Sequence, residues 1–384
     1  MSPSDQLRTL RSARGAAAGP SIATRAPAEL TKAATLLSGR MLMLASSDAS
    51  TMAPLLDVKL SGMILTGSSA YEALKPLQRQ TPGLLVAIEP VSVTKYTATV
   101  EKPFQLATDA LFDQTLAEFL DGQSSSGAAI TVTPTGFFPA GDADPIKEAV
   151  EQANANGRDD TVLLMPVHPR WLKPENIDQL IAIAKTSVHP VALVVCDSYK
   201  DPLVEKGVPA GYRKFFASVP AAIAWRTDMA AFEAMSQGAL AAAIGELPSQ
   251  RRGIVPDRGP RSSDKSDTSP AVLLPGMLRY SRTSWMTRNW FASTAAPKCQ
   301  CRYCEGRSWD SFTGSKEGRL AAHLHNLDTV MRLVQDMNSL TSESSKAWWR
   351  RLLAQAEVEH EALSARTSVK VGLPGPIKAW LRLG

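Results

Sequence analysis

The sequence predicts an α/β protein, a (β/α)8 barrel of the TIM-like type with a small cysteine-bearing subdomain near its C-terminus. Three observations predict it. Nine short apolar segments recur between residues 40 and 277. Most are near-continuous apolar runs, the pattern of parallel strands buried on both faces. Helical stretches alternate with them, as parallel strands joined by crossovers require.

Taken in order, the strand candidates are "RMLMLASS" (40–47), "SGMILTGSS" (61–69), "GLLVAIEP" (83–90) and "AAITVTPTG" (128–136). They continue with "DTVLLMPVHP" (160–169), "HPVALVVCDS" (189–198), "PAAIAWRTD" (220–228), "GALAAAIGELP" (238–248) and "PAVLLPGM" (270–277). Each ends in a small, polar or proline-containing turn. Between them, helices are expected at 70–80, 108–123, 144–157, 173–187 and 228–238, the last closed by Gly238. Eight of the nine strands would close the barrel, leaving one N-terminal strand as a lid or extra pair. An open doubly wound sheet is the runner-up. No G-x-G-x-x-G follows any strand, so nothing supports a dinucleotide fold.

The expected organisation is an N-terminal extension (1–39), a barrel (40–290) with a flexible loop at 249–270, a metal-binding subdomain (291–340) and a C-terminal helix and tail (341–384). At 384 residues the chain can bury a large core, and its 44% apolar and 21% charged content is that of an ordinary globular protein. No apolar run approaches the ~20 residues of a membrane span, and the N-terminus has no continuous apolar stretch of secretory type. Cys196, alone in "VALVVC", reads as a reduced core residue. A cytoplasmic protein without membrane partners is expected.

Charge is uneven. The whole chain carries +5, whereas residues 249–384 hold 21 Lys+Arg against 12 Asp+Glu, so the C-terminal third is the basic part. A solvated surface accounts for such a bias. A nucleic-acid partner is the sharper reading, because phosphate contacts need clustered Arg and Lys. The loop 249–270 offers Arg251, Arg252, Arg258, Arg261 and Lys265 for that purpose.

The stretch "APKCQCRYCEGRSWDSF" places Cys299, Cys301 and Cys304 within six positions. A C-x-C pair does not easily reach disulfide geometry, and three thiols leave one unpaired. Thiolates converging on one zinc ion explain the cluster better, and zinc wants a fourth ligand. Downstream, "SKEGRLAAHLHNLDTVMRLVQDMN" reads as an amphipathic helix over 315–338 carrying His323 and His325. Residues two apart on a helix point roughly 200° from each other, so only one of the two histidines can face the cysteines. The spacing does not choose between them.

The C-x-C-x-x-C loop followed by a helix bearing Leu324, His325 and Asn326 resembles the zinc subdomain of tRNA-guanine transglycosylases, the queuine- and archaeosine-type enzymes and their DNA 7-deazaguanine relatives. The resemblance implies that His325 is the fourth ligand of one structural Zn2+. It also implies a (β/α)8 barrel with the zinc subdomain after the last strand, and a pentosyl transferase that exchanges guanine for a 7-deazaguanine base in tRNA or DNA. In that family one aspartate attacks the sugar C1′ and another moves protons on the incoming base. Two family segments are missing here. Gly67 in "LTGSSA" stands where the D-S-G-G aspartate would be, and "AAAIGELPSQRR" offers no aspartate for the F-D-C-V-M-P-T-R segment.

Catalytic candidates therefore come from the strand ends, where barrel active sites gather. The polar residues there are Thr66, Ser68, Glu89, Thr133, Thr135, His168, Asp197, Ser198, Arg226, Thr227, Asp228 and Glu246. Asp228, Asp197 and Glu89 are the candidate nucleophile and acid/base. Arg226, two residues from Asp228, is expected to keep that carboxylate ionised and, with Arg251 and Arg252, to contact nucleic acid. Each has a plainer reading: Asp228 as a helix cap, Glu89 as a loop residue, Asp197 as the start of an Asx turn. Two alternatives to a divergent transglycosylase stand beside it. One is a non-catalytic zinc-stabilised barrel that binds nucleic acid or supports a catalytic partner; the other is an unrelated barrel enzyme with a purely structural zinc. The tail "SSKAWWRRLLAQAEVEHEAL" (344–363) reads as a helix whose Trp348 and Trp349 pack on the barrel or on a second subunit in a homodimer, or else stack bases.

Overall fold

The structure is a computed structural model that describes residues 31–46, 48–90, 95–107, 113–198, 200–256 and 267–384. Arg258, Arg261 and Lys265 fall outside the described residues, as does most of the N-terminal extension.

Eight strands form the barrel: β1 (Met41–Ala45), β2 (Ser61–Leu65), β3 (Leu85–Ile88), β4 (Thr131–Val132), β5 (Thr161–Val167), β6 (Val191–Asp197), β7 (Ala222–Thr227) and β8 (Ala241–Gly245). They run in the order β3-β2-β1-β8-β7-β6-β5-β4, all parallel. The ends of that order meet where the Ala129 N–H donates to the Val86 carbonyl at 2.9 Å, nearly closing the barrel. The apolar runs are explained by this arrangement, because every strand residue has a buried face to fill. Inside the barrel lie Leu42, Leu44, Ile64, Leu85, Ile130, Val162, Leu164, Val194, Ile223 and Trp225. Alternate residues, such as Met41, Met43, Met63, Leu65, Leu163 and Leu193, point outward into the shell of helices.

The first eight strand candidates are the barrel, so the surplus strand is the ninth and not an N-terminal one. A short strand, β9 (Gly253–Ile254), adds to the end of β6. Ala271–Leu274 (β10) pairs antiparallel with Arg279–Arg282 (β11), and Val272 and Leu274 pack with the cysteines. Ahead of β1, the helix Lys32–Leu37 sends Ala33 and Leu37 into the interior cluster. That segment belongs to the barrel and not to an extension.

The expected helices form at Ala70–Gln80, Leu116–Ser126, Asp144–Ala155, Ile177–Ala184 and Ala230–Ser236. Thr115 and Glu118 build a capping box at the start of the second, satisfying two otherwise orphaned N–H groups. A further crossover helix, Val208–Ser218, is not among those the sequence predicts. The long helix Lys316–Asn338 bridges the two parts of the molecule: Leu327, Val330, Met331 and Val334 join the barrel shell, and Ala322 joins the cysteine cluster. The tail helix Ser342–Thr367 packs Trp349 against Phe232, with ring centroids 5.8 Å apart and planes 24° apart. The Trp349 indole N–H donates to the buried Glu233 carboxylate at 2.7 Å, so Trp349 packs on the barrel and leaves no face for a base. No helix among the described residues is long and apolar enough to cross a membrane.

Candidate functional site

The cysteine loop is a tight knuckle. Glu305 and Gly306 take left-handed backbone conformations (φ 49° and 81°), and the loop is tied by Cys299 N–H to Arg307 O (2.8 Å) and Arg307 N–H to Cys304 O (2.8 Å). This turns all three sulfurs toward the helix. His325 meets them with Nδ1, at 3.2 Å from Cys299, 3.6 Å from Cys301 and 3.3 Å from Cys304. Around a tetrahedral ion with sulfur at about 2.3 Å and nitrogen at about 2.0 Å, ligand atoms lie roughly 3.5 Å apart. The four buried residues therefore have the spacing to hold a metal ion.

The second nitrogen supports this. His325 Nε2 lies 2.7 Å from the Leu273 carbonyl, so Nε2 carries the proton and the Nδ1 lone pair faces the thiols. Burial holds the imidazole below its ordinary pKa, so it stays neutral as a ligand must. Burial pushes the Cys299 and Cys304 thiols up, so a cation is what would make thiolates favourable there. Asn326 explains the neighbouring letter of the motif. Its amide accepts from Leu273 N–H (2.6 Å) and donates to Ala271 O (2.9 Å), clamping the helix to β10. His323 points to the other side, where Asp48 and Glu246 lie.

At the barrel mouth, the sequence candidates separate. Glu89, buried at the end of β3, accepts from both Arg226 Nε (2.7 Å) and Nη2 (2.6 Å) and from the Trp225 indole N–H (2.8 Å). Glu89 is thus the partner of Arg226, and this corrects the expected pairing of Arg226 with Asp228. The cause is a bulge. The β7–β8 register slips between Ala224 and Thr227, and Arg226 sits at φ 54°, which re-aims its side chain into the barrel. With both carboxylate-facing nitrogens used, Arg226 is a poor phosphate ligand. Asp197 accepts from the N–H of its immediate neighbour Ser198, one residue short of the i+2 contact of an Asx turn.

Asp228 does line a pocket, a cavity of about 170 Å³ over the ends of β6, β7 and β8. Its walls include Asp201, Tyr212, Arg251, Arg252 and Tyr280. Desolvation raises the Asp228 pKa, against the opposing pull of Arg251 and Arg252. Its Oδ1 also accepts from Ala230 N–H at 3.1 Å, so the capping role is real. Asp201 is the residue that sequence reasoning missed. Desolvation, then the charge of Asp228, push its carboxyl up to about 6. The local signal, Asp201 before Pro202 in "YKDPL", reads as a cap, and Asp201 does accept from Leu203 N–H at 3.0 Å. Nothing in the sequence places it opposite Asp228.

Arg251 is built into the wall. Its Nε donates to Gly245 O (3.0 Å), its Nη2 to Glu246 O (2.8 Å), and its guanidinium lies 3.4 Å from the centroid of the Tyr280 ring. Gly245 permits the turn, because a Cβ there would lie 2.4 Å from the Gln250 carbonyl carbon. Tyr280 belongs to β11, so the cysteine-bearing part supplies one wall of the pocket. The remaining strand-end residues hold the rim: Thr66 accepts from Gln250 (3.1 Å), Thr133 pairs with Thr135 (2.7 Å), and His168 accepts from Arg170 N–H (3.2 Å).

No protein-family model matches this sequence, and no curated protein does. Among solved structures, 3-hexulose-6-phosphate synthase is similar at 16% identity, with a TM-score of 0.29 over 54% of this chain and 90% of that one. A mutant tryptophan synthase alpha-subunit from the hyperthermophile Pyrococcus furiosus is similar at 16% identity, with a TM-score of 0.33 over 54% of this chain and 88% of that one.

Proposed function

We propose that this chain is a transglycosylase-like pentosyl transferase, exchanging guanine for a 7-deazaguanine base in tRNA or DNA, with one structural zinc on Cys299, Cys301, Cys304 and His325. The observation that carries it is the Asp201–Asp228 pair in one mouth pocket beside Arg251 and Arg252. Up to about pH 6, the two carboxyls of this desolvated pocket share a proton, which leaves one as an anion and one as an acid. Asp228, whose charged form both Arg251 and Arg252 favour, is the anion. It attacks C1′ of the nucleotide, the C1′–N bond breaks, and the departing guanine takes its proton from Asp201. The incoming base then gives a proton to Asp201 and displaces Asp228 from C1′, restoring both groups.

Labelled guanine exchange tests this, with tRNA and duplex DNA as separate substrates. Incorporation into one of them is the expected result. Binding without incorporation into either favours the non-catalytic barrel, for which the capping contacts of Asp228 and Asp201 speak. Arg252 supplies the phosphate test, since Arg251 is held by the wall. Arg252→Ala should weaken nucleic-acid binding about uniformly across sequences and flatten the log–log salt slope by about one. An unchanged slope removes Arg252 from the interface.

A further inference from the structure

We propose a second, exchangeable divalent-cation site on Asp48, Glu246 and His323, distinct from the Cys3His centre and independent of the base-exchange reaction. Asp48 follows β1, Glu246 follows β8, and His323 lies on the helix Lys316–Asn338, two residues before the Cys3His ligand and turned to the opposite side. One nitrogen, His323 Nδ1, lies 2.7 Å from Asp48 Oδ2 and 2.9 Å from Glu246 Oε1. The three donor atoms lie within 4.8 Å of one another.

Proton accounting shows why the cluster is incomplete by itself. Nδ1 carries at most one hydrogen, and the geometry directs it to Asp48. Glu246 Oε1 is then left without a hydrogen-bond partner, although Glu246 is only 4% exposed and this oxygen points into the cluster. Its other oxygen, Oε2, accepts the Ser46 N–H at 3.2 Å. Two carboxylates against one imidazole remain net negative even with the histidine protonated, an arrangement costly for a buried group. A divalent ion on Nδ1, Oδ2 and Oε1 gives the orphaned oxygen a partner and offsets the charge.

The donor set names the class. One imidazole and two carboxylates without a thiolate suit Mn2+, Fe2+ or Zn2+, and three protein ligands leave further positions to water. Asp48 retains a quarter of its side-chain exposure, which opens the site to solvent and makes the ion exchangeable where the buried Cys3His ion is not.

The test titrates the full chain, its Cys3His centre filled, with Mn2+ followed by electron paramagnetic resonance, and separately with Zn2+ followed by elemental analysis of both compartments after equilibrium dialysis. One added equivalent of either ion per chain is expected. Glu246→Gln should weaken that binding at least tenfold and leave the first zinc in place. Asp48→Asn, at the more exposed ligand, should do the same with an unchanged circular-dichroism spectrum, which guards against a folding defect in the Glu246 variant. No second equivalent of either ion in the wild-type chain overturns the proposal. So does a second equivalent that both variants keep at full affinity, because the ion then sits elsewhere.

Discussion

Cys301→Ser yields a chain that carries no stoichiometric zinc, melts on the order of 10 °C lower than the parent, and is recovered in poor soluble yield. The expected size follows from what the centre holds together. Cys299, Cys301 and Cys304 are themselves core members of an apolar cluster with Val272, Met286, Trp290 and Phe312. A structural zinc contributes on the order of 10 kcal/mol of apparent binding free energy to such a unit. Losing even several kcal/mol of it, at roughly 2–4 °C per kcal/mol for a domain of this kind, gives the drop stated. The loss spreads, because the helix bearing His325 also supplies Leu327, Val330 and Val334 to the barrel shell. Tyr280, on the hairpin beside the centre, covers Arg251 at the pocket. Elemental analysis with thermal melts checks the result. A parent chain without stoichiometric zinc, or a Cys301→Ser chain that melts with the parent, would sink the assignment.

The strands were legible because burial on both faces writes itself into the chain as unbroken apolar runs, as in "MLMLA" and "VALVVC". Which strand was surplus was not legible. "PAVLL" is as apolar as the barrel strands because it buries against the metal-site cluster, and apolarity does not say against what. The helix Val208–Ser218 is hidden because Pro209 and Gly211 read as breakers. In the fold Pro209 sits in the first turn of the helix, where its missing N–H costs nothing, and Gly211 is required where a Cβ would lie 1.7 Å from the Leu172 carbonyl oxygen. The clustering of Cys299, Cys301 and Cys304 with a histidine, a set that could hold a metal ion, was the most legible feature, since thiol spacing on one loop is a local property. The pocket was half legible. Asp228 stood out at a strand end, but its proper partner Asp201 lies in an ordinary capping context, and the Arg226 side chain is re-aimed by a bulge that no local pattern announces.

Asp228→Asn should abolish base exchange while leaving the fold and nucleic-acid affinity near those of the parent. Asparagine caps a helix about as well as aspartate, so the contact to Ala230 N–H survives, yet an amide cannot attack C1′. The companion variant separates chemistry from structure. Asp201 is pushed up to about 6 by burial and by Asp228, above the ~3.9 of an unfolded chain. A carboxyl raised on folding contributes stability that is full below about pH 4 and is lost as pH rises through about 6. At pH 7.5 the parent therefore carries a destabilising buried charge that Asp201→Asn removes, while an asparagine can still accept from Leu203 N–H. Asp201→Asn should melt no lower than the parent at pH 7.5, lose that advantage near pH 4.5, and slow exchange by the roughly 10²–10⁴-fold typical of a lost acid/base. A residue whose removal improves stability and costs activity is held by function. Exchange at the parent rate in Asp228→Asn would remove the nucleophile assignment, and a large stability loss in Asp201→Asn at pH 7.5 would make that residue a cap and nothing more.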